Sequence, residues 1–493
     1  MKRRTFIQKS GVAASALSAG IAANAADEAD QPNVVIVHCD ELNFRTLGCY
    51  RDTLSEEQAF MWGKKAVCET PYIDSLAKEG ALCTSFYAAT PVCSPSRSSW
   101  ISGQYPQNTP VTNNNAHLGD DVVTFAHQLK KVGYQTGYAG KWHLDGGGKP
   151  QWEPERKFGF TDNRYMFNRG HWKKFGMTPE GPEVAAKDKK GKPGYGVDGA
   201  DAKSFATDWL MDRTIEFMDE HKAGPFAYMV SIPDPHGPDT VRAPYDTMFS
   251  DDGVEKPRTY AKDRATAPSW GMPAKNCPWK MASYHGMIKC IDDNVGKLIT
   301  ALKERGLYDN TILIFTADHG DMRGEHGLQN KGYPMEASAK IPFVIRWPKG
   351  IKAGQTVRRA MNTTDFCPTI LSLAGADPTG KEEGQSMAAA FQGGEIKSEN
   401  ITFSRSTTKS VESDIGWIAA VSPTHKLILS DKDEPWLIDL VNDPDEMTNV
   451  VKDPAQAEVV KFMARQLHSY GTRCKDQKIK NPNTAKGLAV LMA

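Results

Sequence analysis

The chain has 493 residues with 60 basic and 60 acidic side chains, so its formal net charge is zero and no global field draws it to nucleic acid. That length is too great for one compact core and points to two domains. Nine cysteines, at positions 39, 49, 68, 83, 93, 277, 290, 367 and 474, are odd in number, widely spread and without CxxC spacing, which argues against a zinc knuckle and a dense disulfide scaffold.

In chain order, the first feature is an export signal. Lys2-Arg3-Arg4-Thr5-Phe6-Ile7 forms a twin-arginine region, residues 11–23 are a weakly hydrophobic run of small residues, and Ala23-Asn24-Ala25 offers a cleavage site. Residues 1–25 are therefore expected to engage the twin-arginine export machinery and to be removed, leaving a soluble protein in the periplasm or outside the cell. No later stretch approaches the roughly 20 apolar residues of a membrane-spanning helix.

Beyond the signal, apolar runs alternate with helical patterns, which predicts an α/β fold with a large, mostly parallel central sheet flanked by helices. Residues 33–39, 226–230 and 311–316 are continuous apolar runs with the pattern of buried strands. Residues 93–102 read as a helix, because Pro95 suits a first turn, and 281–305 as a long amphipathic helix closed by Gly306. Near Gly394 the pattern changes to short strands, at 417–421 and 425–429, followed by a helix over 454–469. This divides the chain into a large domain at 32–393 and a smaller antiparallel sheet plus helix at 394–493.

Polar residues cluster where these strands end. Asp40 and Glu41 follow the first strand, Asp318 and His319 follow the strand at 311–316, Lys141 and His143 follow Gly137-Tyr138-Ala139, and His236 lies beyond the strand at 226–230. Ligands of open parallel sheets bind outside the carboxyl ends of strands, so these residues are expected to converge on one crevice. Three carboxylates gathered there would repel one another without a cation, and oxygen-dominated ligation favours Ca²⁺ or Mg²⁺, while an imidazole leaves Mn²⁺ open.

The run Cys93-Ser94-Pro95-Ser96-Arg97, continued by Ser98-Ser99-Trp100-Ile101-Ser102-Gly103, places Cys93 at a helix N-terminus, where exposed N–H groups attract anions. Arg97, one turn on, adds a forked positive charge suited to sulfate or phosphate oxygens.

That run resembles the modification signature of the sulfatase family, part of the alkaline phosphatase superfamily, in which the cysteine is oxidised before folding to formylglycine. The resemblance extends from about residue 33 to 449. It implies a metal shell of Asp40, Glu41, Cys93, Asp318 and His319, with Glu41 standing where the family usually has a second Asp. Gly140-Lys141-Trp142-His143 matches a second block, with Lys141 a sulfate ligand and His143 a partner of formylglycine. Asp234-Pro235-His236-Gly237-Pro238 matches a third, in which His236 contacts the bridging oxygen, and the stretch from Thr316 through Gly327 leads to Lys331, another sulfate contact. Asp321 and His326 read as loop-shaping residues, and His38 and Cys39 as packed. Later pieces, including 363–369 and 436–440, read as scaffold.

The implied chemistry is hydrolysis of a sulfate ester. The hydrate of formylglycine carries two hydroxyls on one carbon: one attacks sulfur, activated by the metal and Asp318, and His236 protonates the departing alcohol. The second, deprotonated by His143, expels sulfate, whereas a plain serine would remain a stable ester. A formylglycine-generating enzyme is an implied partner, acting in the cytoplasm because twin-arginine export moves folded proteins. Export favours an environmental substrate, a sulfated polysaccharide or its oligosaccharides. Residues 152–208 and 238–279 are long and loop-like and are expected to rim the pocket, where Trp152, Arg169, His171, Trp172 and Trp270 either meet a sulfated sugar or pack the loops themselves. Two other readings stay open: a phosphonate or phosphate ester hydrolase of the same superfamily, and a non-catalytic glycan-binding protein.

Overall fold

Strand β1 (Asn33–Asp40) runs through the middle of an eight-stranded sheet in the computed structural model, which describes residues 31–260, 267–274, 277–407 and 416–493. The export signal expected at 1–25 lies outside these residues. The other strands of the sheet are β2 (Ala81–Cys83), β3 (Gln135–Lys141), β4 (Met166–Phe167), β5 (Phe226–Pro235), β6 (Thr311–Ala317), β7 (Phe343–Arg346) and β8 (Gln355–Val357). Their spatial order is β8-β2-β7-β6-β1-β5-β3-β4. All neighbours pair in parallel except β7, which is antiparallel to both β6 and β2. The sheet is thus mixed and mostly parallel, as the alternation of strands and helices implied.

Both faces of β1 are buried, which explains its unbroken apolar run. Val35, Val37 and Cys39 pack into one core with Leu210, Met218, Ile291 and Leu298 of helices α1 (Ala206–His221) and α2 (Ala282–Glu304). Val34 and Ile36 face the other core, with Trp100 and Ile101 from the helix Cys93–Ser102 and Phe366. In this sheet-and-helix sandwich the carboxyl ends of all the strands but β7 open on the same edge, where β5, β1 and β6 lie side by side.

A separate four-stranded antiparallel sheet follows, formed by β9 (Thr402–Arg405), β10 (Trp417–Val421), β11 (His425–Ser430) and β12 (Trp436–Asp439) in sequence order. The helix expected at 454–469 begins as a single 3₁₀ turn (Pro454–Gln456), with Asp453 capping Ala455 N, and continues as Ala457–Arg473. A further helix, Pro482–Met492, packs beside it; no strong apolar period in its sequence marks it, and Asn481 caps its start.

Candidate active site

The helix Cys93–Ser102 is positioned by local signals at both ends. Pro95 lies in its first turn, where no backbone donor is needed, and Gly103 closes it with φ of 72°, a conformation that costs glycine little. All ten residues are buried. Ser96 Oγ donates to the Asp318 carbonyl at 2.5 Å and Arg97 Nε donates to Asp318 Oδ2 at 3.0 Å, which pins the helix start against the end of β6.

Cys93, Asp40, Asp318 and His319 come together there, each offering one donor atom, with all four donors within 4.8 Å of one another. Cys93 Sγ lies 3.2 Å from His319 Nε2 and 3.7 Å from Asp40 Oδ1. His319 Nδ1 faces the Gly320 carbonyl at 2.9 Å; with the ring proton on that nitrogen, Nε2 is left as an inward-facing lone pair. Burial opposes a charged imidazole, yet Asp318 and Cys93 raise His319 to about 9. The same surroundings act on Cys93. Burial and Asp40 oppose its thiolate, but Lys141, Lys331 and His319 outweigh them and lower it to about 7. Two buried carboxylates, a thiol of lowered pKa and an oriented imidazole form a donor set that fits a divalent cation.

Glu41 sits apart from that set. Its backbone is left-handed, with φ of 65°, and its N–H donates to Asp318 Oδ1 at 3.1 Å. Its carboxylate instead meets Lys331 Nζ at 3.2 Å and His236 Nε2 at 3.0 Å, and despite full burial Lys331 and His236 hold it well below the usual carboxylate range.

The basic residues divide by what their donors touch. Arg97 is fully enclosed: besides Asp318 it donates to the Lys141 carbonyl at 2.7 Å, Ser231 Oγ at 2.6 Å and, through Nη2, Asp40 Oδ2 at 3.4 Å. It therefore offsets the charge of the Asp40 and Asp318 carboxylates and fixes the end of β3. Lys141 Nζ donates to Asp40 Oδ2 and lies 2.7 Å from His171 Nε2, while Lys331 Nζ lies 2.6 Å from His236 Nε2. The loop after Lys331 is anchored by buried Lys426, which donates to the Pro334 carbonyl, Glu336 and Glu446 at 2.8, 2.8 and 2.7 Å.

Four histidines serve different ends. His143 is buried in left-handed backbone, φ 59°, with neither ring nitrogen hydrogen-bonded; burial, then Lys141 and Arg97, hold it well below the ordinary histidine value. His236 Nδ1 is 2.9 Å from the Gly237 carbonyl, leaving Nε2 between an ammonium and a carboxylate. His171 stacks on His236 at 3.4 Å between ring centroids, and burial, Lys141 and His236 lower its pKa. His38 lies edge-on to Trp100 in the core, and Cys39 is buried between strands with its thiol pushed up by desolvation.

His171 belongs to this cluster, although the sequence places it only among rim aromatics. It lies in an irregular stretch without periodicity, and no neighbouring residue marks it. The remaining rim candidates divide: Trp152 packs on Phe167, Phe175 and Trp209, Trp172 stacks on Tyr195, Arg169 donates to Asn115 Oδ1, and Trp270 lines a cavity beside Lys331.

A family model described as Sulfatase matches residues 32–376, well over half of the chain. The chain belongs to the sulfatase family. A second sulfatase model, N-sulphoglucosamine sulphohydrolase, C-terminal, matches residues 324–473 and so takes in the antiparallel sheet and the helix after it. Ulvan-active sulfatase of Formosa agariphila is 28% identical over 359 residues, 71% of this chain but 62% of that protein, so the chain spans less than two thirds of its length. N-acetylglucosamine-6-O-sulfatase of Bacteroides thetaiotaomicron is 25% identical over 437 residues, 74% of this chain and 72% of that one. Among solved structures, phosphonate monoester hydrolase of Agrobacterium radiobacter shares the fold, with a TM-score of 0.71, 24% identity and coverage of 91% of this chain and 97% of its own.

Proposed function

We propose that this sulfatase-family chain is an exported hydrolase of sulfate esters on carbohydrate, acting through formylglycine made from Cys93 and a divalent cation, Ca²⁺ in first place. The observation that carries the reading is Cys93 at a buried helix N-terminus, in contact with Asp40 and His319 and beside the cationic pair Lys141 and Lys331. Relatives named for activity on ulvan and on N-acetylglucosamine 6-sulfate support a glycan substrate. Among the described residues no helix is long and apolar enough to cross a membrane.

Asp40, Asp318 and His319, with residue 93, would hold the cation. Formylglycine hydrate at residue 93 would supply two geminal hydroxyls, one to attack sulfur and one to release sulfate, and the cation, when bound, would supply charge stabilisation to the attacked group. Lys141 and Lys331 offset the negative charge of the transferred group from a desolvated site, where such charges act strongly. His236 Nε2 faces both Lys331 Nζ and a Glu41 oxygen, so it can carry a proton toward Glu41 or accept one, as an acid for the leaving alcohol requires. His143, kept neutral by burial and its cationic neighbours, has both ring nitrogens unpartnered and serves as the base.

The test is the mass of the peptide containing Cys93, from protein made in its native host or with a formylglycine-generating enzyme. A loss of about 18 Da is expected, as a carbonyl oxygen replaces SH and H. An unmodified thiol in native material overturns the reading. Parallel kinetics on aryl sulfate, phosphate diester and phosphonate ester are expected to favour the sulfate; preference for the phosphonate would move the chain to the other ester chemistry its fold supports.

A further inference from the structure

Lys331 lies in irregular backbone between Asn330 and Gly332, which take left-handed φ of 57° and 99°. Backbone of that kind keeps its shape where its surroundings over-determine it. Its precision matters here, because the Lys331 ammonium meets both His236 Nε2, at 2.6 Å, and Glu41, at 3.2 Å.

Two side chains grip the backbone just after Lys331. From the side of His319, Ser338 Oγ accepts Gly332 N at 3.1 Å and Tyr333 N at 3.2 Å, while the Ser338 carbonyl accepts Gly320 N at 2.9 Å. From the side of the four-stranded sheet, Trp417 Nε1 donates to the Gly332 carbonyl at 3.0 Å. Gly332 is thus held through both of its polar backbone atoms, its N–H by Ser338 and its carbonyl by Trp417.

The indole is aimed at the loop by the period of two along a strand. In β10, Trp417, Ala419 and Val421 share a core with Met335 and Ala337 of the loop, whereas Ile418 and Ala420 share one with Val460 and Leu467 of the helix Ala457–Arg473. Lys426 stands opposite Val421 in the pairing of β10 with β11 and so lies on the loop side. Its buried ammonium has an acceptor for each of its three protons, on the Pro334 carbonyl, Glu336 and Glu446. Losing any of them would leave a desolvated charge underpaired, so the sheet is locked in register against the loop. Trp417 is therefore presented to Gly332 from a fixed surface.

We infer that Trp417 is a positioning residue for Lys331: through its hydrogen bond to the Gly332 carbonyl, the C-terminal sheet sets where the Lys331 ammonium stands in the active site. This rests on the sulfatase reading above and adds to it a residue of the second sheet.

The experiment is a double-mutant cycle on kcat/KM for nitrophenyl sulfate, using the mature, metal-loaded protein. Trp417→Phe deletes the N–H and keeps an aromatic ring. It is expected to lower kcat/KM about tenfold, within the roughly 10²-fold that a 1 Å misplacement can cost. In a Lys331→Ala background the same change is expected to cost less than about twofold, because the group it positions is gone. A role in packing alone would lower the melting temperature and cost the same factor in both backgrounds. Replacing Trp417 with benzothienylalanine, which has the shape of tryptophan and sulfur in place of the N–H, repeats the cycle with the packing kept. Calorimetric titration with inorganic sulfate reads the cycle without turnover: weaker binding in the Trp417 variants is expected only where Lys331 is present. Unchanged kcat/KM in both Trp417 variants, or equal losses in both backgrounds, overturns the inference and leaves the sulfatase reading intact. Absence of turnover by the unsubstituted protein, shown to carry the aldehyde, overturns the sulfatase reading and the inference with it.

Discussion

The imidazoles of His171 and His236 stack with centroids 3.4 Å apart and planes inclined by 7°, and each ring's Nε2 faces a different lysine, Lys141 for His171 and Lys331 for His236. Two charged imidazoles at that distance would repel. Burial and Lys141 lower the pKa of His171, so His171 is the ring that stays neutral. His171 is thus a positioning residue, aligning the face of His236 and the ammonium of Lys141. His171→Ala is expected to lower kcat/KM by about 10- to 100-fold, as loss of such supporting partners does. His171→Phe, which keeps the stack and loses the Lys141 contact, is expected to fall between the two. Steady-state kinetics across a pH series check this: a role in alignment predicts a displaced pH profile in the alanine variant, which a purely structural role would leave in place.

His236 is expected to matter in proportion to the leaving group. His236 Nε2 lies between Lys331 and Glu41, and His236→Ala would remove the proton donor proposed for the departing oxygen. General acid catalysis contributes about 10²–10⁴-fold, so a loss of that order is expected with a sugar sulfate and a much smaller one with nitrophenyl sulfate, whose anion leaves unaided. Equal losses on both esters would contradict the assignment.

Glu41 and Asp318 are separated by a metal-binding experiment. Asp318 belongs to the four-donor set, whereas the Glu41 carboxylate lies with Lys331 and His236. Chelation of the metal-loaded protein is expected to lower the melting temperature, and Ca²⁺ at 100 times its Kd to restore about 2.7 kcal/mol. Asp318→Asn is expected to lose that response and Glu41→Gln to keep it, as read by thermal denaturation with and without Ca²⁺. Loss of the response in Glu41→Gln would place that carboxylate among the ligands.

The contrast between these two residues shows what was legible in the sequence. The helix at 93–102 could be read to the residue because its signals are local, a proline in the first turn and a glycine after the last. The convergence of Asp40, Lys141, His236 and Asp318 followed from strand ends in a parallel sheet. The direction of Glu41 did not, since it depends on a left-handed backbone at φ 65° that no neighbouring glycine announces. Strand β7, four residues long and antiparallel between β6 and β2, escaped for a related reason: so short an apolar run carries no direction. His171 was brought to Lys141 by a loop path that periodicity cannot trace.

Stability is expected to carry a signature of Glu325, which lies in the loop between Asp318 and Lys331. It is buried, accepts from Asn43 Nδ2 at 3.2 Å and lies 3.6 Å from Arg45, beyond hydrogen-bonding range. Burial therefore outweighs Arg45 and Asn43 and raises its pKa from 4.5 to about 7. Between those values the folded protein holds a proton that the unfolded chain has shed, so raising the pH through that window destabilises the fold through this group, by up to about 1.4 kcal/mol per unit. Glu325→Gln, which has the shape of the protonated acid and cannot ionise, is expected to lack that contribution. Urea denaturation of both proteins at pH 5 and pH 7 isolates it: the stability of the native protein relative to the variant should fall between the two. A relative gain over the same interval would mean that Glu325 is ionised throughout and stabilised by Arg45.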